Sequence, residues 1–471
     1  MVRTNPGRLV VAALVGAAFV AEAQASHARL RHARVDGVNI ETLERVRRGH
    51  TATAVSWASL SSTKLEPGRY ELAFSVAPAA APREGRYAVE IPPCGGRGRL
   101  VVDGVPTELT PGPAIVPLDP RAPHALRLEI DVSEYERRVA CGEPPRVGTV
   151  VWSSEGIATL EMASPVAARG GGMAVVYVPR GIDAERPAPL LVGVHPWNGS
   201  PWTYANYTEL LAGAEEARVA LLMPSGLGNS LYTEPAEDEL LRALDAALAA
   251  LPVDRQRVSI WGASMGGQGA TTIGLHNPDR FASITSYFGD ARFDVTGYVR
   301  GILPTEAAAH AVNPVDVIDN ARHVPIWLIH GDADRTSPVA ESDTLDRALS
   351  SRGYKRRYDR VPGAGHEGAL VARFVGEVVA RAKEATAPRF PERVTFRSVR
   401  ARDVGAYGVR IERAAAGDAF VDVERRGGGI HVLAAENVRR IVLRRGALGG
   451  SGGERIVAKA SARPDVAWEP P

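Results

Sequence analysis

The chain is 471 residues long and carries 56 Lys and Arg against 54 Asp and Glu, a formal net charge of +2. That length exceeds one compact unit and suggests roughly two or three domains, each able to bury a core. No run of basic residues is interleaved with aromatics, so nothing points to a polyanionic partner and nucleic-acid binding is not expected.

The first residues have the three parts of an export signal in order. Arg3 and Arg8 make a basic segment, Leu9 to Val20 an apolar one, and Ala23-Gln24-Ala25 a small-residue cleavage site before Ser26. The apolar stretch is short for a bilayer span, which weighs against the alternative of an amino-terminal anchor, and no later apolar run reaches spanning length. The expectation is therefore a signal peptide over residues 1–25 and a secreted or periplasmic mature chain with no integral membrane segment. In an oxidising compartment the two cysteines, Cys94 and Cys141, are expected to pair in a disulfide, with two buried thiols as the alternative.

From about Thr51 to Val132 apolar residues alternate with polar ones, as in Tyr70, Leu72, Phe74, Val76 and in Leu126, Leu128, Ile130, Val132. This period of two buries one face of a strand. Asp103-Gly104 lies between two apolar runs and reads as a hairpin turn. Residues 26–149 are thus expected to form a β-sandwich-like domain. Beyond Pro144-Pro145 the strands become continuous apolar runs, such as Leu190 to Val194, Val219 to Met223 and Pro325 to Ile329. Runs of that kind are covered on both faces, as in a parallel sheet. Helical spacing separates them, with Leu240, Leu241, Leu244, Leu248 and Leu251 on one face and Leu370, Phe374, Val375, Val378 and Val379 on another. Residues 150–386 therefore predict a doubly wound, mostly parallel α/β sheet. Alternation returns in Tyr407-Val409-Ile411, Val421-Val423 and Ile441-Leu443, and residues 387–471 predict a small second β domain.

Two places fit G-x-S-x-G. Ser451 lies in a run of glycines with no strand before it, no helix after it and no later histidine, so it is rejected. Ser264 follows the apolar run Val258 to Trp261 and precedes a helical stretch from Gln268 to Leu275. A sharp strand-to-helix turn lifts its side chain above the sheet edge and demands small neighbours, which Gly262, Gly266 and Gly267 supply. The helix start favours negative charge there, and Met265 N–H is placed to hold an oxyanion. A serine nucleophile needs a base aligned by a third group. Asp334, in the loop after the strand that ends near Ile329, is the expected acid, with Asp332 the alternative; His366, in Pro362 to Gly368, is the expected base. No HExxH, clustered Cys or paired His spacing suggests a metal or other cofactor.

With GASMGG at Ser264, NPDRFAS after its helix, HGDAD at the acid and GAGHEG at the histidine, residues 150–386 resemble the α/β-hydrolase superfamily, in its secreted-esterase and prolyl-oligopeptidase-like branch. The resemblance implies a metal-free serine hydrolase working through an acyl-enzyme on a small-molecule or polymer ester, with a peptidase using the same three residues as the rival. It departs from the family at His195-Pro196-Trp197-Asn198-Gly199, where members carry His-Gly. Pro196 has no N–H to give, so Trp197 is expected as second oxyanion donor, with Asn198 the lesser choice. Trp202, Tyr204 and Tyr207 are candidates to line an acyl or sugar pocket, plain loop packing being the other reading. Asp290 is a further cleft candidate, or a turn residue. A rival of another class is a catalytically silent protein whose β domains bind polysaccharide.

Overall fold

The computed structural model describes residues 29–31, 33–39, 45–48, 51–53, 67–78, 87–91, 98–108, 114–119, 121–132, 146–152, 156–163, 171–201, 203–205, 207–297, 299–452, 454–458 and 464–469. The export segment, Cys94, Cys141 and Trp202 lie outside them. The chain divides into two compact units, Met1–Ser154 with Ala158–Met173, and Glu155–Ile157 with Ala174–Pro471.

The first unit contains two antiparallel sheets. Six strands line up as Thr51–Thr53, Arg45–Arg48, Gly68–Val76, His124–Val132, Gly98–Val102 and Val105–Glu108; four line up as Ala33–Asn39, Arg146–Trp152, Tyr87–Ile91 and Ala114–Pro117. The alternation read from the sequence is visible in burial: Tyr70, Phe74 and Val76 are buried, as are Leu126, Leu128 and Ile130. Asp103 and Gly104 both take positive φ, 49° and 82°, and close a two-residue hairpin in which Val102 faces Val105.

The second unit, which takes in β1 (Gly171–Val178) from Ala174 on, continues with β2 (Ala188–Val194) and then alternates helices and strands: α1 (Thr208–Ala217), β3 (Ala220–Pro224), α2 (Glu234–Ala250), β4 (Val253–Ala263), α3 (Met265–His276), β5 (Ser283–Tyr287), α4 (Glu306–His310), β6 (Ile326–Gly331), α5 (Ala340–Ser351), β7 (Arg356–Val361) and α6 (Gly368–Glu384). These seven strands lie side by side in the order β1-β3-β2-β4-β5-β6-β7. β1 runs antiparallel to β3, and the other neighbours are parallel. β2, β3, β5 and β6 are buried at every position, because helices cover both faces. The last strand, β7, exposes Arg356, Arg357 and Arg360, charges that protect an open edge from further pairing. This is the sheet of an α/β-hydrolase, and it brings the carboxyl ends of β2, β4, β5, β6 and β7 to one edge, where open α/β sheets hold their ligands.

The strands from Arg393 onward cluster with this sheet in the same unit. They make two four-stranded sheets around Phe396, Val421, Val423, Ile430, Ile441 and Leu443. Their tie to the hydrolase sheet is ionic and buried: Arg400 donates to both carboxylate oxygens of Glu237 on α2 at 2.6 and 3.0 Å and to Asp403 at 2.9 Å, while Asp403 meets Nδ1 of His276, the last residue of α3, at 2.6 Å. Burial opposes ionisation of Asp403, but its bonds to His276 and Arg400 outweigh that and hold its pKa below the usual carboxylate value.

Candidate active site

β4 ends at Ala263 and α3 begins at Met265, so one residue makes the turn. Ser264 makes it at φ 58° and ψ −123°, a region that strains any residue with a Cβ. The surroundings hold it there. Ser264 N–H donates to Tyr287 O at 2.9 Å, and the glycines flanking it lie against backbone. A Cβ on Gly262 would lie 2.4 Å from Gly266 O, and one on Gly266 would lie 1.9 Å from Val194 O. The packing that demands glycine therefore also presses the end of β2 against the turn.

Asp334 lies three residues past the end of β6. Its Oδ1 accepts the backbone N–H groups of Thr336 and Ser337 at 2.8 and 3.0 Å, and its side chain is fully shielded. The loop after β7 is drawn against this turn: Ala333 N–H donates to Ala364 O at 3.0 Å, and a Cβ on Gly331 would lie 2.1 Å from that oxygen. His366 consequently bridges the two groups read from the sequence, with Nδ1 2.7 Å from Asp334 Oδ2 and Nε2 2.8 Å from Ser264 Oγ. Its ring packs on Phe288, centroids 4.3 Å apart. Phe288 takes φ 37° to reach that place. Asp332, the alternative acid, points elsewhere: it is exposed and its Oδ1 accepts Gly363 N–H at 2.7 Å. It is a turn residue that staples the histidine loop.

On the other side of Ser264, Met265 is the first residue of α3, and a first helical N–H has no carbonyl four residues back. In the loop after β2, Asn198 N–H donates to Asn229 Oδ1 at 2.6 Å. That engages the lesser of the two candidates for second donor.

Residues 229–384, about a third of the chain, match the model of the Prolyl oligopeptidase family, and they contain all three bridged residues. The chain is a serine hydrolase of the α/β-hydrolase type. No curated protein matches it. Among solved structures the hydrolase is similar to a substrate-bound Staphylococcus aureus fluorophosphonate-binding serine hydrolase (18% identity, 49% of this chain and 100% of that one, TM-score 0.44). It is also similar to a ferulic acid esterase (17%, 49% and 99%, TM-score 0.42). A third is a putative dipeptidyl aminopeptidase IV from Bacteroides ovatus (14%, 54% and 39%, TM-score 0.41).

Three further residues of the hydrolase surround Asp334. His330 is buried and its Nε2 lies 2.9 Å from Ser337 O and 3.4 Å from Asp334 Oδ2, while Nδ1 meets Ser342 Oγ at 2.8 Å. Burial pushes the pKa of His330 below the usual histidine value, so the ring is neutral and its one N–H serves Ser337 O. Ser337 in turn donates its hydroxyl to Asp290. Burial raises Asp290 to about 6, and neighbouring Glu341 and Asp334 push the same way against the Ser337 bond and His366. Asp290 thus holds Ser337, whose N–H holds Asp334. The sequence reading had Asp290 as a cleft candidate, but it missed Phe288 and Ser337, and only the HGDAD motif hinted at His330.

The expected aromatic pocket is corrected in part. Tyr204 is 2% exposed, stacks on Trp261 at 4.4 Å, and uses its hydroxyl to accept from Ala263 N and donate to Val194 O, both at 3.1 Å. It fastens β2 to β4. Tyr207 is half-buried, with its hydroxyl beside Gly368 at the start of α6. Ser451 sits in an exposed turn bound to Glu454. Among the described residues no group of three or more His, Cys, Asp or Glu is placed to hold a metal ion, and no helix is long and apolar enough to cross a membrane.

Proposed function

We propose that the hydrolase cleaves carboxylic esters through an acyl-enzyme on Ser264, with His366 as general base and Asp334 as the acid that orients it. The observation that carries this reading is the single imidazole spanning 2.8 Å to Ser264 Oγ and 2.7 Å to Asp334 Oδ2. Ser264 Oγ attacks the acyl carbon as Nε2 takes its proton, and the Asp334 carboxylate stabilises the imidazolium. Met265 and Trp197 N–H donate to the oxyanion. Collapse breaks the C–O bond, the alcohol leaves with the Nε2 proton, and a water repeats the sequence to release the acid. An alcohol leaves more readily than an amine, so the small set of groups at this edge suffices for an ester.

The peptidase reading is favoured by one observation, the Prolyl oligopeptidase family match itself. Turnover of nitrophenyl acyl esters against aminoacyl or prolyl anilides separates the two. A fluorophosphonate probe should label the wild type at Ser264 and leave Ser264→Ala unlabelled; equal labelling of both would overturn the assignment. Export on a signal peptide over residues 1–25, a Cys94–Cys141 disulfide, a division at residues 149 and 386, and polysaccharide contact through the β domains belong to the same proposal. They rest on the sequence patterns described above.

A further inference from the structure

The loop His195–Gly199 carries no regular structure, yet it is tied repeatedly to one neighbouring segment, residues 225–232. His195 is buried, which lowers its pKa against its two carbonyl partners, and its Nε2 lies 2.7 Å from Ser225 O. Tyr232 donates its hydroxyl to His195 O at 3.1 Å. Asn198 and Asn229 clasp each other reciprocally: Asn198 N–H donates to Asn229 Oδ1 at 2.6 Å, and Asn229 Nδ2 donates to Asn198 Oδ1 at 2.7 Å.

The bracing segment is strained. Leu227, Leu231 and Tyr232 have φ of 54°, 49° and 49°, and Asn198 has 61°. Bulky side chains persist in that region only where contacts over-determine it. The ring of Tyr232 supplies such contacts: a Cβ on Gly226 would lie 2.7 Å from it, and one on Gly269, in α3, 2.3 Å. One buried ring therefore joins the helix that follows Ser264 to the loop that contains Trp197. Pro196 fixes its own φ; Pro196 O accepts Gly199 N–H at 2.9 Å and lies 2.9 Å from His195 Nδ1, which holds the Pro196–Trp197 peptide that carries the Trp197 N–H, and the clamp on Asn198 N–H holds the next peptide along.

We propose that Asn229, backed by Tyr232, is a positioning residue that sets the Trp197 N–H relative to Ser264, so that residues 225–232 serve transition-state binding rather than substrate capture. This rests on the function proposed above. A loosened donor weakens an oxyanion contact whose outright removal costs roughly 100- to 1,000-fold in kcat. The expected effect of Asn229→Ala is about a tenfold fall in kcat at nearly constant KM, with the affinity of phenylboronic acid, a mimic of the tetrahedral species, falling in step. Asn229→Asp keeps the acceptor for Asn198 N–H and should lose less; Asn198→Gly suits the positive φ, keeps that same bond and should also lose less.

Both milder variants keep the proposal testable if Asn229→Ala does not fold. Unchanged kcat in every folded variant, or a loss confined to KM with boronic acid affinity intact, would overturn it. Fluorophosphonate labelling of Ser264 separates this failure from that of the underlying reading. If Ser264 is labelled and required while Asn229 is dispensable, the brace alone falls; if Ser264 is dispensable, the site itself falls.

Discussion

Replacing Asp334 by Asn tests the chemistry at its most specific point. The side-chain oxygen of Asn can still accept from Thr336 and Ser337 N–H, which Asp334 Oδ1 now binds at 2.8 and 3.0 Å. The amide nitrogen then stands where Oδ2 faces His366 Nδ1 at 2.7 Å. Two donors cannot share that contact, so the imidazole turns to the tautomer with its proton on Nε2, aimed at Ser264 Oγ. A base already protonated on that nitrogen cannot take the serine proton. Loss of the acid in such a triad costs on the order of 10,000-fold in kcat, equal to about 5.5 kcal/mol. Steady-state hydrolysis of a nitrophenyl ester by Asp334→Asn and Asp332→Asn gives the comparison. In Asp332→Asn the amide oxygen would still accept from Gly363 N–H, so that variant should stay within about threefold of wild type. Equal losses at both positions, or a larger loss at 332, would refute the argument.

Asp290 gives a pH prediction with a definite sign. Its pKa is about 6 in the fold against an ordinary 3.8, so between those values the folded chain binds a proton that the unfolded chain releases. The stability this group supplies is full below about pH 4 and is lost as pH rises through 6, by up to about 3 kcal/mol. Asp290→Asn should flatten that dependence in chemical denaturation at pH 4.5 and 7.5, and an unchanged difference would count against it. Arg400→Ala strands Glu237 and Asp403 in a buried site and should cost about 3–5 kcal/mol, seen in thermal unfolding, while kcat of the folded fraction stays near wild type. Gly266→Ala must push a Cβ against Val194 O at 1.9 Å; the expected results are loss of fluorophosphonate labelling or of folded protein, and full labelling would refute the packing argument.

The parts legible in the sequence were those where one local requirement admits few residue types. Continuous apolar runs as short as Leu190 to Val194 and Pro325 to Ile329, set between helical patterns, read as strands covered on both faces, and β2 and β6 are such strands. The glycines around Ser264 announce a crowded turn, and crowding against Val194 and Tyr287 carbonyls is what they meet. Tyr204 was not legible, because an aromatic after β2 reads the same whether it stacks on a ligand or on Trp261. The cluster of Arg400, Glu237, Asp403 and His276 was hidden for a different reason. Charges far apart in the chain read as a solvated surface until packing brings them together.

The same distinction explains why the bridge from Ser264 to Asp334 could be read while its supports could not. A proton relay needs particular functional groups, so serine, histidine and carboxylate must appear as themselves in the sequence. Support needs only a donor or acceptor at a given point, and many residue types provide one. Ser337 uses its N–H for Asp334, its carbonyl for His330 and its hydroxyl for Asp290, yet two of those three groups are backbone and carry no signature. Asn229 likewise works through an amide that would look the same in any polar turn. Reaction chemistry is therefore written in side chains, whereas the precision of its geometry depends on backbone groups that only the folded chain reveals.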